Sequence, residues 1–119
     1  MNVRRGDVIL IDYPFSDASG SKVRPALVVQ GDRRNSLLSE TVIALITKNV
    51  KHVSLDLTQL LIDLRTPDGK ASGLNANSAI KCGKLFTIHE TLVRKKIGVL
   101  SVALMRTIDD CLKAALDLP

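Results

Sequence analysis

Thr41-Val42-Ile43-Ala44-Leu45-Ile46-Thr47 is a run of β-branched and aliphatic residues with no polar alternation between its two threonines. Its composition predicts a strand, and the missing alternation predicts one buried on both faces, hence central in its sheet. Working outward, Asp7-Val8-Ile9-Leu10-Ile11-Asp12, bounded by Gly6 and Pro14, reads as a first strand. Pro25-Ala26-Leu27-Val28-Val29-Gln30 reads as a second, with proline tolerated at its first position. The polar cluster at residues 16–21 joins the two as a long-looped hairpin, and Gly31-Asp32-Arg33-Arg34-Asn35 breaks the pattern before the third strand. Downstream, residues 53–57 and 60–64 are weaker strand candidates. Residues 77–82 and 84–88 form a further strand or pair around Gly83, where a bulge or bend is expected.

Strands this short, at roughly ten-residue spacing, predict a small barrel or a strongly curved antiparallel sheet. The last segment changes period. From Ser101, a residue suited to an N-cap, Leu104, Met105, Ile108, Cys111, Leu112, Ala115 and Leu116 recur at helical spacing, while Arg106, Asp109, Asp110 and Lys113 fall between them. The expected fold is therefore mainly β, with a C-terminal amphipathic helix that covers the sheet or a partner. The only other turn-rich interruption, residues 66–73, reads as a loop.

The chain has 119 residues, enough for one domain (1–119) and not for two cores. Its 45% apolar and 24% charged content is that of a globular protein. Aromatics are 3% with no Trp, which disfavours a base-stacking platform built from several rings. Cys82 and Cys111 stand far apart without CxxC spacing, so neither a zinc knuckle nor a disulfide framework is expected, and reduced thiols in a cytosolic protein are the default. The longest uncharged stretch, residues 71–80, is half polar and well short of the roughly 18–20 apolar residues that a membrane helix needs. Asp7 and Asp12 interrupt the region behind Arg4-Arg5, so no secretion signal is read there.

Seventeen Lys and Arg against 12 Asp and Glu give a net charge of +5, which suits a polyanionic partner. Several of the cations flank apolar runs, at element ends where clefts form. The two histidines, His52 and His89, are isolated from each other and from both cysteines in sequence, which argues against a metal site. No GxSxG elbow and no phosphate-binding glycine motif is present, so no nucleotide cofactor is expected.

What remains is an arginine at the start of the second strand, Arg24, and a threonine at the end of the third, Thr47. On one edge of a small antiparallel sheet the two can meet. A guanidinium offers a planar fork of donors matched to phosphate oxygens, and a hydroxyl adds one more, so the pair suits a phosphate passing through a five-coordinate state. The alternative is a strand-end arginine in a surface ion pair with Asp12 or Asp32.

Arg5-Gly6-Asp7-Val8, then Arg24-Pro25-Ala26-Leu27-Val28-Val29, then Thr41-Val42-Ile43 through Ile46-Thr47, then Ser72-Gly73-Leu74 with Asn77-Ser78, then Lys95-Lys96-Ile97-Gly98-Val99-Leu100 together resemble the MazF/PemK family of toxin endoribonucleases. The resemblance runs over nearly the whole chain in the family's order. It implies a small SH3-like barrel with a C-terminal helix, of the CcdB/MazF kind, and a homodimer that cuts single-stranded RNA and is blocked by a cognate antitoxin. It also implies metal-independent chemistry without a cofactor, in which the ribose 2′-hydroxyl attacks the adjacent phosphate and leaves 2′,3′-cyclic phosphate and 5′-hydroxyl ends. Carried over by position, Arg24 neutralises the phosphorane and Thr47 orients the phosphate. Ser19, Ser21, Lys22, Lys48, His52, Lys81 and Lys84 are the implied RNA contacts.

The chain departs from the family pattern in two places. A Gly-x-Glu-Gln type segment often precedes the arginine, and here Ser19-Gly20-Ser21-Lys22 stands instead. Many members have Cys-Asp-Gln and then Arg-Thr where this chain reads Cys82-Gly83-Lys84-Leu85-Phe86-Thr87, so an aspartate and an arginine are replaced by Gly83 and Phe86. Two alternatives follow: a weak or inactive RNA- or partner-binding module of the same fold, and a gyrase-targeting toxin of the related branch. The Arg24-Pro25 and Thr47 matches speak against the second.

Overall fold

The computed structural model describes residues 1–13 and 22–119. Six strands, β1 (Asp7–Tyr13), β2 (Lys22–Val28), β3 (Glu40–Thr47), β4 (Gln59–Ile62), β5 (Ser78–His89) and β6 (Val93–Val99), form one antiparallel sheet in the order β4-β5-β3-β2-β1-β6. Three helices, α1 (Asp32–Leu37), α2 (Pro67–Ala71) and α3 (Val102–Leu116), complete the described fold with 3-10 turns at Val53–Leu55 and Glu90–Leu92.

β3 lies inside the sheet, and its unbroken apolar run has the expected cause: both of its faces are covered. Ala44 and Ile46 point into a cluster with Val8, Leu27, Ile62, Ile80, Cys82 and Leu100, which α3 closes with Ile108 and Cys111. Ile43 points the other way, into Ile9, Ile11, Ala26, Val28 and Ile88, with Tyr13, Phe86 and Leu92 packed around them. The cores are aliphatic, as a chain with so few rings requires.

The β1–β2 hairpin forms as expected, although β2 begins at Lys22, ahead of Pro25. Pairing with β3 starts at Ala26, just after Pro25, which has no N–H to give. β5 is one strand where two pieces were considered. Between the pairs Ala44↔Leu85 and Leu45↔Lys81 it carries Cys82, Gly83 and Lys84 against no partner on β3, so the bulge expected at Gly83 is present and bends the sheet. α3 starts where the pattern places it: the Ser101 hydroxyl accepts the Leu104 N–H at 3.2 Å.

Several expectations are corrected. Residues 53–57 are not a strand. Val53–Leu55 is a 3-10 turn, and Leu55 and Leu57 are 85% and 84% exposed, so their apolar character finds no face to cover. The break at residues 31–35 opens helix α1, held by a buried polar knot: Asn35 Oδ1 accepts from Thr41 Oγ1 at 2.7 Å and Gln30 Nε2 at 2.9 Å, and Asn35 Nδ2 donates to the Gln30 carbonyl at 3.0 Å. The loop at residues 66–73 contains α2, whose cap is readable in retrospect: Thr66 Oγ1 accepts the Gly69 N–H at 2.9 Å and Pro67 occupies the first turn. β6 was not expected as a strand because Arg94-Lys95-Lys96 interrupts its apolar alternation.

The two cysteines, far apart in sequence, meet between the β5 bulge and α3, and both are buried. Burial pushes the Cys82 thiol up from its ordinary 9.0 to about 12, with Cys111 beside it adding to the shift, and burial likewise raises Cys111. A thiol held protonated in the fold contributes stability below pH 9.0 that is lost as the pH climbs toward about 12. Iodoacetamide at pH 8 is expected to leave both thiols unmodified in the folded protein and to alkylate both in urea, read as a mass increase. Alkylation without denaturant contradicts this burial.

Candidate active site

The register of β2 against β3 runs Ala26↔Leu45, Leu27↔Ala44, Val28↔Ile43. Beyond Ala26↔Leu45 the two strands form no further pair; Arg24 and Thr47 each stand two residues past it, and both border one cleft. Strand alternation puts both on the face that carries Ala26 and Ile43. Tyr13, at the end of β1, shares that face: the Arg24 guanidinium carbon lies 5.4 Å from the centre of its ring. Phe86 meets Tyr13 edge-on, with ring centres 6.1 Å apart at 88°. Phe86 is the position where the family pattern has an arginine, so here a ring backs the tyrosine.

The alternative reading of Arg24 as a surface ion-pair partner does not hold among the described residues. Asp12 is taken by Arg94, whose Nε donates to Oδ1 at 3.0 Å, and Asp32 accepts the Arg5 backbone N–H at 2.6 Å. Arg24 has no carboxylate partner there, and its Nε is buried without a hydrogen bond. Leaving such a donor unsatisfied costs about 1–3 kcal/mol, a cost that an incoming anion removes. Thr47 Oγ1 accepts the Asn49 N–H at 3.1 Å, which fixes the hydroxyl oxygen and leaves its proton to donate.

Beside this pair opens a cleft of about 660 Å³. Its floor is Leu10, Pro25 and Ile46, its far wall Leu74 and Ile97. The cations on it are Lys22, Arg24, Lys48 and Lys95, and no carboxylate lines it among the described residues. The field inside is therefore of one sign, which attracts polyanions.

Of the residues expected from sequence, Arg24, Thr47, Lys22 and Lys48 come together at this cleft. Ser19 and Ser21 lie outside the described residues. His52, Lys81 and Lys84 do not line it: His52 immediately precedes the 3-10 turn after β3, Lys84 is on the β5 bulge, and Lys81 is on β5 near Asp56. The Asp56 carboxyl is held below its usual range chiefly by hydrogen bonds from the Thr58 side chain and backbone and from Gln59, with the Lys81 charge adding to them. At Gly83 a side chain would meet only Thr58 Oγ1, at 3.8 Å, so space does not impose the missing aspartate.

Sequence reasoning missed Asn49, Asn75, Ser78 and Lys95 on the cleft. Lys95 carried a signal in its basic run. The asparagines carried none, because loop polarity alone does not distinguish a lining residue from a solvated one. Among the described residues no three His, Cys, Asp or Glu gather as a metal site would need, and no helix is long and apolar enough to cross a membrane.

A family model described as the PemK-like, MazF-like toxin of type II toxin-antitoxin systems matches residues 4–116. Endoribonuclease EndoA of Bacillus subtilis (strain 168) is 31% identical over 119 residues, covering 99% of this chain and 97% of that protein. Among solved structures, an endoribonuclease in complex with its cognate antitoxin from Mycobacterial species superposes with a TM-score of 0.78 at 20% identity, covering 98% and 97% of the two chains. The MazE-MazF structure (Form-III) from Deinococcus radiodurans gives 0.76 at 11% identity over the full length of both chains. At those identities the two structures speak for the fold.

Proposed function

The chain belongs to the PemK-like, MazF-like toxin family of type II toxin-antitoxin systems, and on that footing we propose that it is an endoribonuclease that cuts single-stranded RNA at Arg24 and Thr47. The observation that carries the reading is a guanidinium whose buried Nε has no hydrogen bond, and which has no carboxylate partner, among the described residues, on a cleft that it shares with Thr47 and three lysines.

The reaction is an internal transesterification. The ribose 2′-oxygen loses its proton and attacks the neighbouring phosphorus, the bond to the 5′-oxygen breaks, and that oxygen takes up a proton. The products are a 2′,3′-cyclic phosphate and a 5′-hydroxyl. Negative charge builds on the non-bridging oxygens in the five-coordinate state, where Arg24 donates its planar fork and the Thr47 hydroxyl adds a third bond from a position that Asn49 fixes. Arg24 contributes here the charge and the paired donors of its guanidinium. Lys22 and Lys48 hold the flanking backbone.

The protein works in this reading as a cytoplasmic homodimer built from one toxin domain over residues 1–119. A cognate antitoxin silences it by laying an acidic segment over the same cations. The weakly active binding module is the second reading, favoured by Phe86 in place of the pattern's arginine. Purified protein incubated with mixed single-stranded RNA in EDTA is expected to cut at a short recurring sequence and to leave cyclic-phosphate and 5′-hydroxyl ends. Thr47→Ala is expected to slow cutting about 10²-fold, the usual loss for one oxyanion donor. A folded wild-type protein that binds RNA without cutting it sinks the ribonuclease and leaves the binding module.

A further inference from the structure

Three consecutive cations on β6 have different fates. Arg94 Nε is bonded to Asp12 at 3.0 Å, and Lys96 Nζ to Asp7 at 3.1 Å. Lys95, between them, has no carboxylate partner among the described residues and borders the cleft. Its place there follows from the sheet. Lys95 is opposite Leu10 on β1 and Leu10 is opposite Pro25 on β2, while Ile46 on β3 stands one residue past the last β2–β3 pair, Ala26↔Leu45. Lys95, Leu10 and Pro25 make one row across three strands, and they and Ile46 line the cleft.

The row has an apolar stretch and, at one end, an ammonium without a carboxylate partner among the described residues. Ile46 precedes Thr47, whose side chain leaves the opposite face of β3 and which borders the same cleft. Three strand spacings separate β3 from β6, about 14 Å in all. An ammonium at that remove serves a different phosphate from the one held between Arg24 and Thr47. The apolar span, Leu10, Pro25 and Ile46, suits the face of a base or ribose lying between two phosphates.

We infer that Lys95 binds a backbone phosphate next to the cleaved one, so that the RNA strand crosses the cleft from the end of β3 to β6. The inference rests on the ribonuclease reading for its substrate, and its test does not depend on cutting. Neutralising one phosphate contact lowers the slope of log affinity against log salt by about 0.7 for a single strand.

Binding of a short 2′-O-methyl RNA of mixed sequence, which lacks the attacking hydroxyl, is measured by anisotropy from about 50 to 200 mM NaCl. Lys95→Gln is expected to reduce the slope by about 0.7, so that the wild-type advantage over the variant is about 2.6-fold larger at the lower salt than at the higher. Lys95→Arg is expected to keep the slope. Lys113→Gln, on the last turn of α3, changes net charge equally and is expected to leave the slope as in wild type. Equal slopes for the Lys95→Gln and wild-type proteins, or equal reductions in the Lys95→Gln and Lys113→Gln proteins, overturn the assignment. Loss of cutting by the wild type with this slope difference intact overturns the ribonuclease and keeps Lys95 as an RNA contact.

Discussion

Arg24→Ala is expected to slow RNA cleavage about 10³-fold while leaving the protein at least as stable as the wild type. Three decades in rate correspond to about 4 kcal/mol of transition-state stabilisation, within reach of a charged, bidentate donor in a partly desolvated site. The effect is expected on the chemical step, because Lys22, Lys48 and Lys95 still line the cleft as cations. Arg24→Lys is expected to recover little, since an ammonium cannot present two parallel donors to a five-coordinate phosphorus.

The stability half of this expectation separates a functional arginine from a structural one. Truncation removes a buried Nε that has no partner among the described residues, which relieves about 1–3 kcal/mol, and gives up a cation–π contact with Tyr13 worth about 0.5–1 kcal/mol. A residue that holds the fold together shows the reverse balance. Single-turnover cleavage and thermal melts on the same preparations decide it: cutting within tenfold of wild type removes Arg24 from the mechanism, and a sharply lowered Tm makes it a structural residue.

Gly98→Ala is expected to cost at least 3 kcal/mol and to lower Tm by about 10 °C or more. A Cβ at Gly98 runs into the Ser72 carbonyl, and one at Gly73 runs into the carbonyl of Ile97. Two backbones, β6 and the end of α2, therefore pass each other with no room for a methyl group on either side. Gly73 is further constrained by its φ of +73°, which an L side chain disfavours. Since Gly73 and Ile97 both line the cleft, separating the two segments also moves its far wall, and RNA affinity is expected to fall in protein that still folds. Gly31→Ala is the control. No atom lies within 4 Å of a Cβ there, its φ is −61°, and its effect is expected to stay within about 0.5 kcal/mol. Equal melting temperatures for the Gly98→Ala and Gly31→Ala proteins show that β6 and α2 are less tightly packed than the structure has them.

Elements whose driving force is local were legible in the amino-acid order. An uninterrupted aliphatic run needs cover on both faces, so β3 reads as central from composition alone. α3 reads from its 3.6-residue period and its serine cap, and the β5 bulge from one glycine between two apolar pieces. Arg24 and Thr47 were legible as chemistry, a fork and a hydroxyl at strand ends. The fold then brings both to the border of one cleft.

Elements whose driving force comes from elsewhere in the chain were not legible. β6 is a strand because β1 offers an edge and Asp7 and Asp12 pair with Lys96 and Arg94, which turns a charge run into a ladder. α1 is pinned by Asn35, whose partners Gln30 and Thr41 flank it in sequence but look like ordinary polar residues until burial makes each hydrogen bond obligatory. Residues 53–57 look like a strand and find no sheet face to cover. The ion-pair alternative for Arg24 fell only when Asp12 and Asp32 were seen engaged elsewhere. Local pattern and periodicity thus determined most of the segments that fold, and the family resemblance singled out Arg24 and Thr47 among the polar side chains. Pairing between segments distant in sequence decided which charges are spent on structure and which face the cleft, because an ion pair is fixed by distances that only the folded chain sets.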